Sequence, residues 1–125
     1  PEKAVKLFNF IIYVDKYLEE VDRQLCGENL YGYTGDDFSG LLSPAMYKKF
    51  AIPFYQKIYK RKKIRFMHSE LLRVEHLRIA KDILDVTSFH GAGAKNLTIK
   101  EMYEVMGHNF WVQITLQQMK TLPIN

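Results

Sequence analysis

The chain has 125 residues, 47% of them hydrophobic, which is enough for one ordinary globular core and excludes a disordered segment. Its net charge of +4 comes from basic residues that are scattered apart from Lys60 to Lys63, with no aromatic-interleaved basic motif, and this argues against nucleic-acid binding. A lone cysteine, Cys26, excludes an internal disulfide; with no signal peptide and no apolar run near the roughly 20 residues that cross a bilayer, a reducing, cytoplasmic setting away from membranes is expected.

Pro1 to Leu25 reads as a long amphipathic helix, with Val5, Phe8, Ile11 or Ile12, Leu18 and Val21 or Leu25 on one face, closed by Cys26-Gly27. Asn29 to Asp37 alternates aromatic and small residues and reads as a strand with an acidic end, Asp36 and Asp37. Ser43-Pro44 is a strong helix start, serine as N-cap and proline at the first helical position. Pro53 must kink or divide the helix that follows, because it lacks an N–H and crowds the previous turn. Lys60 to Lys63 reads as a solvated helix end.

Ile64 to Glu70, Ile-Arg-Phe-Met-His-Ser-Glu, reads as a buried strand ending in a site. Side chains alternate across a strand, so His68 and Glu70 are expected on the same side. Leu71 to Leu84 follows at helical spacing, with Glu75 and His76 expected at its surface. Asp85 to His90 is another β-rich run ending in a histidine. Gly91 to Ala94 lacks the Lys-Ser/Thr ending of a phosphate loop and reads as a flexible turn. Thr98 with Glu101 forms a capping box for a helix that ends at Gly107, and Phe110 to Thr115 reads as a fourth strand. Tyr31, Tyr33 and Trp111 are expected in the sheet core.

Four strands joined by helices imply parallel pairing and an α/β fold. Four such units are about half of an eightfold barrel, which typically needs about 250 residues. Either the chain is part of a barrel or it is a doubly wound domain with one face poorly covered. His68 and Glu70 are competent zinc ligands, and His90, at the end of the next strand, would be the third of a catalytic set with an open fourth position. The alternative for His68 and Glu70 is a buried hydrogen-bonded pair. Asp36 and Asp37 could bind a metal, accept a substrate hydrogen bond, form a like-charge pair with one raised pKa, or cap a loop.

Gly35-Asp36-Asp37, Leu42-Ser43-Pro44, the helix with Pro53 and the strand ending His68-Ser69-Glu70 together resemble the second half of the uroporphyrinogen decarboxylase superfamily, over nearly the whole chain from Leu30 onward. The resemblance implies that residues 1–125 are a single partial-barrel domain, the C-terminal half of a (β/α)8 TIM barrel. Members of that superfamily either decarboxylate uroporphyrinogen, a tetrapyrrole, without a cofactor or transfer methyl groups to and from corrinoid proteins. The methyltransferase branch commonly carries His-x-Cys at this strand end, where this chain has Glu70 in place of cysteine. The run from His68 to Leu77 looks more like the corrinoid-dependent O-demethylase type, with oxygen and nitrogen ligands on zinc. On that resemblance, zinc at His68, Glu70 and His90 would polarise a methoxy or thiol substrate while a corrinoid on a partner protein takes the methyl group, and Asp36 and Asp37 are favoured for a catalytic role. The substrate-binding groups of the decarboxylases lie in the amino-terminal half, which has no counterpart here. A non-catalytic half-barrel is the other expectation, its open edges covered by the remaining half or by a second copy.

Overall fold

The computed structural model describes residues 2–91, 96–107 and 111–113. The expected turn at Gly91 to Ala94 falls outside these residues beyond Gly91, as do the two ends of the expected fourth strand.

Helix α1 spans Glu2–Cys26, and Gly27 closes it at φ +88°, a left-handed conformation that glycine adopts freely. Its expected apolar face is mostly not buried. Only Ile12 is buried, while Leu7, Ile11, Val14, Leu18, Val21 and Leu25, spaced alternately four and three apart, all stay exposed. The helix is held by Phe8, from the expected face, stacked on Phe54 at 4.6 Å, by Lys57 donating to Asn9 at 3.2 Å, and by an ion pair between Glu19 and Lys62. Lys62 is therefore not a solvated helix end. It is buried, and its ammonium also donates to Asn29 O at 2.8 Å.

Strands β1 (Tyr31–Gly35), β2 (Ile64–His68), β3 (Ser88–His90) and β4 (Trp111–Gln113) form one parallel sheet in the order β1-β2-β3-β4. Between β1 and β2, Ser43 caps helix α2 (Pro44–Met46) through Met46 N–H; a π-helical turn at Tyr47–Ala51 follows, and helix α3 (Ile52–Ile58) continues from it. Pro53 explains the π turn. The wide Ile52 N–H to Tyr47 O bond lies immediately before a residue that has no N–H to give and whose ring presses on the preceding turn. Helix α4 (Val74–Ile79) runs into a second π turn, Ala80–Leu84, and stops at Asp85 in the left-handed conformation. It starts three residues later than expected, since Leu71 and Leu72 belong to the loop before it. Helix α5 (Ile99–Met106) carries the expected Thr98–Glu101 capping box.

Strand order follows chain order, so each right-handed crossover returns its helices to the same face of the sheet. The core sits on that face. Met67 and Phe89 from the strands pack with Tyr47, Leu72, Leu77, Ala80, Leu84, Val86, Leu97 and Met102, all essentially without solvent contact. His76, expected at the surface, is also buried here, edge-on to Tyr47 with Nε2 2.9 Å from Leu42 O. The opposite face has no helix among the described residues. Tyr31, Tyr33 and Trp111, expected in the core, instead stand exposed around Phe66, at 6.2, 5.6 and 6.0 Å between ring centres. A doubly wound sheet would reverse its strand order to cover both faces, and this one does not. Among the described residues, no helix is long and apolar enough to cross a membrane.

Candidate functional site

The pairing register aligns Gly35, His68, His90 and Gln113 across the carboxyl ends of the four strands. Two backbone bonds carry the alignment past the strands: Asp36 N–H donates to His68 O at 2.9 Å, and Ser69 N–H to His90 O at 3.0 Å. Register partners on neighbouring strands point to the same face, so the imidazoles of His68 and His90 lie together on the helix-free side. Their ring centres are 4.8 Å apart and their Nδ1 atoms 3.0 Å apart, the length of a hydrogen bond.

Glu70 does not join them. Strand β2 ends at His68, so the alternation that would have brought residue 70 to the same side lapses, leaving Ser69 buried and Glu70 exposed in a bend. Glu70 is fixed through its backbone, whose N–H donates to Asp37 Oδ1 at 3.2 Å. Its carboxylate acts on His90 only as a nearby charge. Burial, then the positive charge of a protonated His68, push the His90 imidazole below its ordinary pKa, and Glu70 partly opposes them. Among the described residues, no three His, Cys, Asp or Glu side chains are grouped to hold a metal ion. The expected ligands His68, Glu70 and His90 thus supply two converging nitrogens and no third donor, and a catalytic zinc centre does not fit them as placed.

The two aspartates diverge. Asp36 is buried, and both carboxylate oxygens are taken: Oδ1 accepts from Phe38 N–H at 3.2 Å and Ser39 N–H at 2.8 Å, and Oδ2 accepts the Tyr55 hydroxyl. Asp36 clamps the turn between β1 and α2, as the loop-cap alternative has it. Burial and then the Asp36 charge hold the Tyr55 phenol far above its ordinary range, so it stays a donor. Asp37, half-exposed, turns toward the histidines, with Oδ1 3.5 Å from His68 Nε2. Tyr55 was not singled out by the sequence. Its signal is only that Tyr55 and Tyr59 lie four apart on one helix face, where both reach β1: Tyr59 OH lies 2.5 Å from Thr34 Oγ1 and donates to Phe66 O at 2.7 Å.

A cleft of about 300 Å³ opens at the other end of the sheet, lined by Lys16, Glu20, Arg23, Lys57, Lys60 and Arg61 among others. Its mixed charges lie before the strands begin, away from the histidines. In parallel α/β proteins reacting groups gather at the carboxyl ends of strands, so the histidine edge is the candidate site. Comparison with protein-family models, with curated proteins and with solved structures gives no match to this chain.

Proposed function

We propose that this chain is part of a uroporphyrinogen decarboxylase-like barrel enzyme that moves a methyl group from a methoxy or thiol substrate to a corrinoid carried by a partner protein. One observation supports the reading above the rest: parallel strands in chain order end in His68 and His90, whose imidazoles meet on the face that would line a barrel. In the proposed barrel the bare aromatic face around Phe66 is interior, and further strands continue the sheet from its edges. The corrinoid supplies the methyl-accepting cobalt. Zinc was the expected Lewis acid, but with Glu70 apart from the imidazoles no step is assigned to it. The residues of this chain instead offer a proton to the oxygen or sulfur that loses its methyl group.

A second reading, decarboxylation of uroporphyrinogen, is favoured by the same imidazole contact, because that reaction replaces a carboxylate with a proton and calls on a proton-handling pair. The two are separated with the protein that carries this chain. Incubated with a reduced corrinoid protein and a panel of methoxylated and methylthio compounds, it should change the corrinoid spectrum as methyl is transferred, and His68→Ala and His90→Ala should abolish the change. Loss of carboxyl groups from uroporphyrinogen without methyl transfer selects the second reading. A folded protein that does neither overturns both.

A further inference from the structure

Two imidazoles facing each other through the same atom type hold information about where their hydrogens are. Between His68 Nδ1 and His90 Nδ1, 3.0 Å apart, one atom must carry the hydrogen and the other the lone pair. Which is which is decided at the far side of His68. There Asp37 Oδ1 stands 3.5 Å from Nε2, long for a hydrogen bond but close enough for the carboxylate charge to favour a hydrogen on that nitrogen. Asp37 is itself fixed, because the same oxygen accepts the Glu70 N–H. A hydrogen on His68 Nε2 leaves Nδ1 of that neutral ring as acceptor. His90 Nδ1 must then be the donor, and the lone pair of His90 falls on Nε2, on a side chain that is only partly buried.

We infer that Asp37, His68 and His90 form a proton relay in which Asp37 and His68 are positioning residues and Nε2 of His90 is the atom that exchanges a proton with substrate. When Nε2 of His90 gains a proton, its Nδ1 hydrogen passes to Nδ1 of His68. One N–H bond forms and one breaks on His90, one forms on His68, and the positive charge comes to rest on His68 against the Asp37 carboxylate. Burial and the charge of the neighbouring ring disfavour the charge on His90. The relay is incompatible with a zinc ion shared by the two Nδ1 atoms, since the hydrogen occupies the metal's position. The substrate's part in this rests on the proposed enzymatic reading, whereas the hydrogen positions do not.

The test therefore needs no substrate. The full chain is labelled with ¹⁵N-histidine, and long-range proton–nitrogen correlations at neutral pH report which ring nitrogens carry hydrogen. The relay requires hydrogen on Nε2 of His68 and Nδ1 of His90, with lone-pair shifts for the other two. Asp37→Asn, nearly isosteric and still able to accept the Glu70 N–H, should abolish or reverse the His68 preference, and His90→Gln should leave it in place. Hydrogen on His68 Nδ1 in the unaltered chain overturns the relay, as does an Asp37→Asn spectrum identical to it. Zinc alone, titrated in, should leave the Nδ1 signals where they are; if it shifts both, the metal reading replaces the relay. Should Asp37→Asn not fold, the unaltered chain and His90→Gln still decide. Failure of methyl transfer leaves these shifts untouched, so the relay and the proposed function fail separately.

Discussion

Gly40 gives the sharpest test of how the site is held. It lies in the 3-10 turn Ser39–Leu41, directly against the loop that follows His68. A Cβ there would stand 1.9 Å from Leu71 O, 2.2 Å from Leu71 C and 2.8 Å from Leu72 N, where real contacts begin near 3.0 Å. The nearest atoms are backbone, so the two loops must part by about 1 Å, the shortfall being 3.0 − 1.9 = 1.1 Å. Overpacking costs about 1 to 3 kcal/mol where side chains can yield, and backbone yields less, so the clash is set at about 3 kcal/mol or more. Lower chain entropy in the unfolded state returns about 0.5 kcal/mol. The net loss for Gly40→Ala is then about 2.5 kcal/mol, and with a urea slope of about 1.5 kcal/mol per molar the midpoint should fall by roughly 1.7 M. Gly32→Ala is the control. Its Cβ meets Lys62 Cγ and Tyr59 Cδ1 at 2.9 Å, both side-chain atoms, so its midpoint should fall by less than half as much. Equal midpoints for the two variants, or a Gly40→Ala midpoint within about 0.3 M of the parent, would refute the close contact between these loops.

Tyr55→Phe removes the hydroxyl held by Asp36 and leaves a buried carboxylate oxygen short of a donor; a loss of about 1 to 3 kcal/mol in urea unfolding is expected, with no loss contradicting the clamp. Tyr47, Tyr55 and Tyr59 all have phenols raised by burial, so the folded chain keeps protons that the unfolded chain releases. Stability is therefore complete below the ordinary tyrosine pKa of about 10 and falls as pH rises above it, by up to about 1.4 kcal/mol per pH unit for each phenol; a flat urea midpoint from pH 9 to about 11 would count against it. Lys62→Met takes the cation from Glu19 and Asn29 O, and α1 should exchange its amide hydrogens faster than α4 or β2, measured by mass spectrometry. Uniform exchange across all three would show that the ion pair does not anchor α1.

The strands and their parallel pairing were legible because each β-rich run is short and bounded, with a helical pattern between it and the next. Boundaries were less so: the third strand was placed at Asp85 to His90 and forms at Ser88–His90, because the left-handed Asp85 delays the chain and Val86 is spent on the core. His68 and His90 could be paired from the sequence since both end strands that the helices make neighbours. Glu70 could not be placed, because alternation holds only while the strand lasts, and His68 is its last residue. Asp36 and Asp37 look interchangeable in sequence. What separates them is a phenol nineteen positions downstream, whose reach depends on how the Pro53 turn sets α3 against β1.

The strand order bears on how the chain is assembled. Each strand pairs with the next one in sequence: Tyr31 with Ile64, Phe66 with Ser88 and Ser88 with Trp111, separations of 33, 22 and 23 residues. For a parallel sheet these loops are short, and none encloses another, so the closure entropy of each is met by its own ladder before the next begins. A nascent chain emerging amino end first can lay β2 on β1 and β3 on β2 without opening any ladder already made. Each described strand is added at the edge of the one before it, and a sheet laid down in this order can be lengthened by one strand-helix unit with every earlier register left as it was.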